Sequence, residues 1–172
     1  VAGAARTGLP IVATMTFDTH GRTMMGVTTE AAMQLREGLP ARPIGFGANC
    51  GIGPAQLIES VLGLVGAATP DDLIVAKGNC GVPHYHDGRI YYDGTPEVMA
   101  AYACMARDAG ARVIGGCCGT TAAHIQAMAT ALAARPPAPP PSRATIEAAL
   151  GPLPPPPASG AEGDRQRRRR RA

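Results

Sequence analysis

Four apolar, non-alternating runs recur along the chain: IVATMTF (11–17), PIGFGAN (43–49), DLIVAKGN (72–79) and ARVIGGC (111–117). Each is followed by a segment with helical start and stop signals. Thr28 to Glu37 ends at Gly38, a typical helix stop. Pro54 opens AQLIESVLGLV (55–65) from a first-turn position. Thr95 caps and Pro96 begins a helix to about Arg107, and Thr120 or Thr121 caps one over roughly 122–134. Apolar strands without a polar alternation belong to parallel sheets covered by helices. The pattern is therefore four βα units of an α/β fold. A complete (β/α)8 barrel needs eight units and about 250 residues. No strict sequence period is present, which argues against a solenoid.

Composition divides the 172 residues in two. Residues 1–134 carry 8 basic and 10 acidic side chains, whereas residues 135–172 carry 8 Arg and 3 acids. The net charge of +3 thus arises after residue 134. Ten of the 17 Pro lie there too, in PPAPPP (136–141) and PLPPPP (152–157). Such runs favour extended polyproline segments, and a run of five Arg (167–171) repels itself. The expected organisation is a folded unit over 1–134 and a disordered Pro- and Arg-rich tail over 135–172, with two helical turns open to RATIEAAL (143–150). The tail has no Lys and no interleaved aromatics. Nucleic-acid binding by it is the weaker reading, and a solvated tail the stronger.

No run approaches the ~20 apolar residues of a membrane span, and residues 1–10 lack the pattern of a secretory signal. Five Cys cannot form a fully paired intrachain disulfide set, and the adjacent Cys117 and Cys118 suit metal or thiol chemistry in a reducing cytoplasm. The chain begins with Val, which fits a fragment or a start codon translated literally.

Chemistry in parallel α/β folds gathers at the C-terminal strand ends. Cys50 follows the second run, Asn79 and Cys80 the third, and Cys117 and Cys118 the fourth. In a regular strand the last two would face opposite ways. Gly115, Gly116 and Gly119 let the strand unwind so that both meet one ion. Cys50, Cys117 and Cys118 then make an all-sulfur zinc site with one open position, the mark of a catalytic metal. Buried cysteines are otherwise small hydrophobes, the reading that suits Cys104 in mid-helix.

GANCGIGP (47–54), AKGNCGVP (76–83) and GGCCGTT (115–121) together resemble the homocysteine S-methyltransferase family, and MTFDTHGRTMMG (15–26) looks like that family's strand and turn before the first cysteine. The likeness spans about residues 8–134. It implies a TIM-type barrel of which this chain is the C-terminal half, with zinc held by Cys50, Cys117 and Cys118 and Asn79 beside the metal. It further implies homocysteine as methyl acceptor, methionine as product, and a methylated corrinoid, betaine or a sulfonium compound as donor. Spare backbone N–H groups at Gly51–Gly53 and at Gly119, Thr120 and Thr121 are candidates for the substrate carboxylate.

Two departures stand out. Gly78-Asn79-Cys80-Gly81 replaces the family's Pro-Asn-Ala-Gly, and Cys80 is expected to pack away from the metal. The first half-barrel, with its acidic groups for the homocysteine amino group, is missing. A partner half or a corrinoid-binding module is therefore expected as partner, and a non-catalytic zinc-binding half-barrel is the chief rival reading. His84 and His86 read as solvated loop residues, His124 as a helix-surface or packing residue, and His20 as a turn residue. Gly51-Ile-Gly53 lacks the rest of a phosphate-loop pattern, and the seven Met read as core filler.

Overall fold

The computed structural model describes residues 1–155. After a short helix α1 (Ala2–Ala5), the elements are β1 (Val12–Met15), a 3-10 turn (Thr19–Gly21), α2 (Thr29–Glu37), β2 (Gly45–Cys50), α3 (Pro54–Gly66) and β3 (Leu73–Gly78). There follow β4 (Pro83–His86), β5 (Arg89–Tyr92), α4 (Pro96–Asp108), β6 (Val113–Gly116), α5 (Ala122–Ala134) and α6 (Arg143–Leu150). The four apolar runs form one parallel sheet in the order β1-β2-β3-β6. Strand order thus follows chain order. Right-handed crossovers then fall on one side of the sheet. Accordingly α2 packs on α3, α3 on α4 and α4 on α5.

The helix starts obey the expected chemistry. The Thr28 hydroxyl accepts from the Ala31 N–H at 3.2 Å, and the Thr95 hydroxyl from the Val98 N–H at 3.4 Å. Pro54 and Pro96 occupy the first turns of α3 and α4, where no N–H is needed. The core lies between these helices and one face of the sheet. Phe46, Ala48, Ile74 and Ala76 meet Leu57, Ile58, Val61, Met99, Tyr102 and Ala106, all buried. Few aromatics are needed because Ala on sheet and helix lets the layers approach closely.

The opposite sheet face differs. Val12 and Leu73 share one row of the register with Gly45, and Val113 lies in the next row with Val75. Val12 is 52% exposed, Val113 45% and Leu73 36%.

Two features depart from expectation. The segment between Pro83 and Tyr92 is an antiparallel hairpin rather than a loop, turning at Asp87-Gly88 with both residues at positive φ. And the chain stays packed beyond residue 134. Arg107 donates to the Leu132 carbonyl at 3.3 Å and to the Pro136 carbonyl at 2.8 Å, while Asp108 accepts from the Ala138 N–H at 3.0 Å. Helix α6 then lies across α3 and α4, with Ile146 and Leu153 buried and Arg143 paired to Glu59 at 2.7 Å. Residues 135–155 are therefore not a loose tail. Proline runs suit such a clamped path because they lose little entropy on ordering. The Arg run 167–171 lies outside the described residues. Among the described residues, no helix is long and apolar enough to cross a membrane.

Candidate metal centre

Three strand ends build the site. At the end of β2 the backbone turns left-handed at Cys50 (φ 56°) and again at Gly51 (φ 76°). Cys50 bears the strain that glycine would avoid, of order 1–3 kcal/mol. Gly51 is required for a second reason. A Cβ there would stand 2.6 Å from the Phe17 carbonyl oxygen. At the end of β6, the Cys117 N–H donates to the Gly78 carbonyl at 2.7 Å, and the Cys118 carbonyl accepts from the Cys80 N–H at 2.9 Å. The cysteine pair is thereby stitched to the end of β3 rather than continuing as a strand.

These turns bring the three thiols together. Cys50 Sγ is 2.8 Å from Cys117 Sγ and 3.9 Å from Cys118 Sγ, and the last two are 4.0 Å apart. Tetrahedral zinc–thiolate bonds of about 2.3 Å separate their sulfurs by about 3.8 Å. Two of the three separations match that value, and the third pair is in direct sulfur contact. Among the described residues this is the cluster able to hold a metal ion. The soft, all-sulfur donor set fits zinc.

The electrostatics point the same way. Burial opposes ionisation of Cys50, but hydrogen bonding from Cys117, Asn49 and Cys118 and the nearby Lys77 charge outweigh it and lower its pKa. Cys117 is pushed up to about 11 by burial and by its two sulfur neighbours. Three thiolates this close repel one another, and a divalent cation among them removes that conflict.

Asn79 is buried and spans the site. Its Nδ2 donates to the Gly51 carbonyl at 2.9 Å, and its Oδ1 accepts from the Cys118 N–H at 3.2 Å. Its amide thus joins the two cysteine-bearing turns. Thr120 folds over Gly116, where a Cβ would lie 2.3 Å from its side chain, and its buried Oγ1 lacks a partner. Gly119 (φ 76°) supports the ring of Tyr92, whose Cγ is 2.4 Å from where a Cβ would sit. The neighbouring Cys118 side chain raises the Tyr92 pKa.

The remaining candidates fall elsewhere. Cys80 is buried, with its thiol donating to the Gly94 carbonyl at 2.9 Å and 3.1 Å from His124 Nε2. Nδ1 of His124 accepts the Thr121 N–H at 3.0 Å, so the neutral ring carries its proton on Nε2. His124 thus caps α5 and props Cys80. His84 pairs with Asp93 at 2.9 Å on the exposed hairpin, and His86 with Asp87 at 3.3 Å. Cys104 is buried in α4.

Tyr92 and Tyr102 were not singled out by the sequence. Asp87-Gly88 between alternating residues marks the hairpin that delivers Tyr92. Tyr102 has no local mark. Its hydroxyl accepts from the Gly78 N–H at 2.9 Å, and its ring fills the space where a Gly78 Cβ would sit.

Comparison with known proteins bears on this site. A family model described as homocysteine S-methyltransferase matches residues 1–132. The methionine synthase of Mycobacterium tuberculosis (strain ATCC 25618 / H37Rv) is 33% identical over 126 residues, which is 73% of this chain and 10% of that protein.

Proposed function

Because this chain belongs to the homocysteine S-methyltransferase family, we propose that it carries the zinc-bearing portion of a homocysteine methyltransferase site. The observation that carries the reading is the convergence of Cys50, at the end of β2, with Cys117 and Cys118, at the end of β6, across the end of β3. These three would hold the ion, leaving one position for the substrate sulfur. Zinc bound there would stabilise the substrate thiol as its thiolate near neutral pH. In the overall transfer, the homocysteine sulfur forms the new S–CH3 bond. The bond from the methyl group to its donor breaks, and the thiol proton passes to solvent.

The protein's own groups supply position rather than acid–base chemistry. The Asn79 amide holds the Cys50 and Cys118 turns in register. Tyr92 covers Gly119 with its ring. The unpartnered Thr120 hydroxyl and the N–H groups around Gly51 and Gly119 are the polar groups offered to the amino-acid part of the substrate. No acidic side chain joins the cysteine cluster among the described residues. The substrate ammonium would then need carboxylates from outside the four βα units, which form half of a barrel in this reading. The methyl donor, a corrinoid or betaine, would reach the same rim, with no nucleic acid and no membrane involved and a cytoplasmic setting.

A second reading is a non-catalytic zinc-binding half-barrel. The exposed sheet face at Val12, Leu73 and Val113 favours it, because a site walled on one side admits water. Two measurements separate the readings. Metal analysis of the reduced chain should find about one zinc, absent from Cys50→Ser and Cys117→Ser. Methionine formation from homocysteine and methylcobalamin or betaine should be slight for the chain alone. Failure to retain zinc would sink both readings, whereas zinc without turnover under any pairing of chains would leave the second.

A further inference from the structure

Of the chain's 16 Lys and Arg residues, only Lys77 is a lysine. It stands near the end of β3, paired with Asn49 of β2 on one side and Gly115 of β6 on the other. Ile74 and Ala76 point into the helix-covered core, so alternation turns Lys77 to the opposite face. β3 itself sets that direction, whatever covers the face. Asn49 shares it, and its amide donates to the Thr16 hydroxyl at 3.4 Å. Thr16, Asn49 and Lys77 thus make a polar row directly below the cysteine turns. The next row on this face, Gly47, Val75 and Val113, is apolar.

Lys77 is placed differently from a solvated surface cation. It is half-buried. Alongside the burial and hydrogen bonds that act on Cys50, the Lys77 charge favours its thiolate, so the ammonium lies within reach of the cluster. Among the described residues it has neither an ion pair nor a hydrogen bond. Space lies next to it, because nothing stands within 4 Å of where a Gly115 Cβ would be.

We propose that Lys77 receives the carboxylate of the acceptor substrate, which makes the site one for short thiols that carry a carboxylate. The inference rests on the reading of the cysteine cluster as a homocysteine site. In extended homocysteine about 5 Å separates the sulfur from the carboxylate carbon. Cys50 pairs with Gly78, so Lys77 is rooted one strand across and one residue below it. A sulfur held at the cluster therefore leaves its carboxylate within span of the flexible Lys77 stem. The backbone N–H groups around Gly51 and Gly119 offer hydrogen bonds but no counter-charge. Lys77 supplies that charge, which strengthens the hydrogen bond it donates.

The reduced, cobalt-loaded 172-residue chain tests this, because a thiol joining the metal changes its absorption. Homocysteine and γ-mercaptobutyrate carry the carboxylate, and mercaptopropanol lacks it. Lys77→Met should weaken the first two by about 10- to 100-fold and leave the third unchanged. The unaltered chain gives a second readout, since Lys77 is its only side-chain amine. Acylation of Lys77, followed by mass spectrometry, should be slowed by γ-mercaptobutyrate and not by mercaptopropanol. Equal weakening of all three thiols would show that Lys77 acts on the metal instead, and would overturn the proposal. So would unchanged binding in the variant, or a Lys77 already inert to acylation without ligand. A wild-type chain that takes cobalt but no thiol would remove the homocysteine reading itself, and this inference with it.

Discussion

Asn79 Oδ1 accepts the Cys118 backbone N–H at 3.2 Å while the same amide donates to Gly51. One buried carboxamide therefore sets the distance between two turns that are far apart in sequence. It acts on the cysteines through the backbone, without needing to touch a metal.

Asn79→Ala should therefore weaken zinc binding by about 10- to 100-fold, the usual effect of removing a supporting hydrogen bond at a metal site. Competition with a chromophoric chelator reads this directly. A cobalt-substituted sample should keep its sulfur-to-metal absorption, because all three thiolates remain. Unchanged zinc affinity in the variant would show that the turns hold themselves.

The cysteines should divide into two groups. Ser at position 50, 117 or 118 removes one of three soft ligands and should abolish stoichiometric zinc. Ser at 80 or 104 should retain it. Cys80 is committed to the Gly94 carbonyl and His124, and Cys104 is buried in α4. Loss of zinc in Cys80→Ser with an unaltered fold would assign Cys80 to the metal instead.

Much of this was legible beforehand, and for specific reasons. Thr95-Pro96 and Pro54 fix helix starts by local chemistry, so α3 and α4 fell within a residue or two of their expected bounds. Cys50, Cys117 and Cys118 were visible because glycine-flanked cysteines at strand ends have few other uses. The clamping of residues 135–155 was hidden because it depends on Asp108 and Arg107, distant groups that receive the proline path. Tyr102 was hidden for a similar reason. A tyrosine in a helix says nothing of which strand's N–H it will meet.

Tyr102→Phe should test that second point. It leaves the buried Gly78 N–H without an acceptor at the end of the strand that carries Asn79. The cost should be about 1–3 kcal/mol in urea denaturation. Gly78→Ala should cost more, since its Cβ would lie 2.9 Å from the Tyr102 ring. Zinc affinity should fall with stability in both.

Helix α6 should prove part of the folded unit. Ile146 is 1% exposed, and Ile146→Ala leaves a cavity against α3 and α4 worth about 2–4 kcal/mol. Arg143→Ala, which loses a half-exposed pair with Glu59, should cost much less. Equal and negligible effects would place α6 off the core.

Acid should act through Asp72. Burial alone would raise its carboxyl, but Arg36 at 2.8 Å and the Thr69 backbone N–H at 2.8 Å hold it at about 2. The folded value thus lies below the unfolded one, near 3.9. Stability from this group is complete above about pH 4 and is lost as pH falls through about 2. The part at stake is on the order of 2 kcal/mol. Urea midpoints should therefore drop between pH 5 and pH 2.5 more steeply for the wild type than for Asp72→Asn. At neutral pH the variant should be the weaker protein, since it takes one of two carboxylate partners from the buried Arg36 guanidinium and leaves it Glu37 alone, and the two should converge toward pH 2. Parallel pH profiles would assign acid sensitivity to another carboxylate.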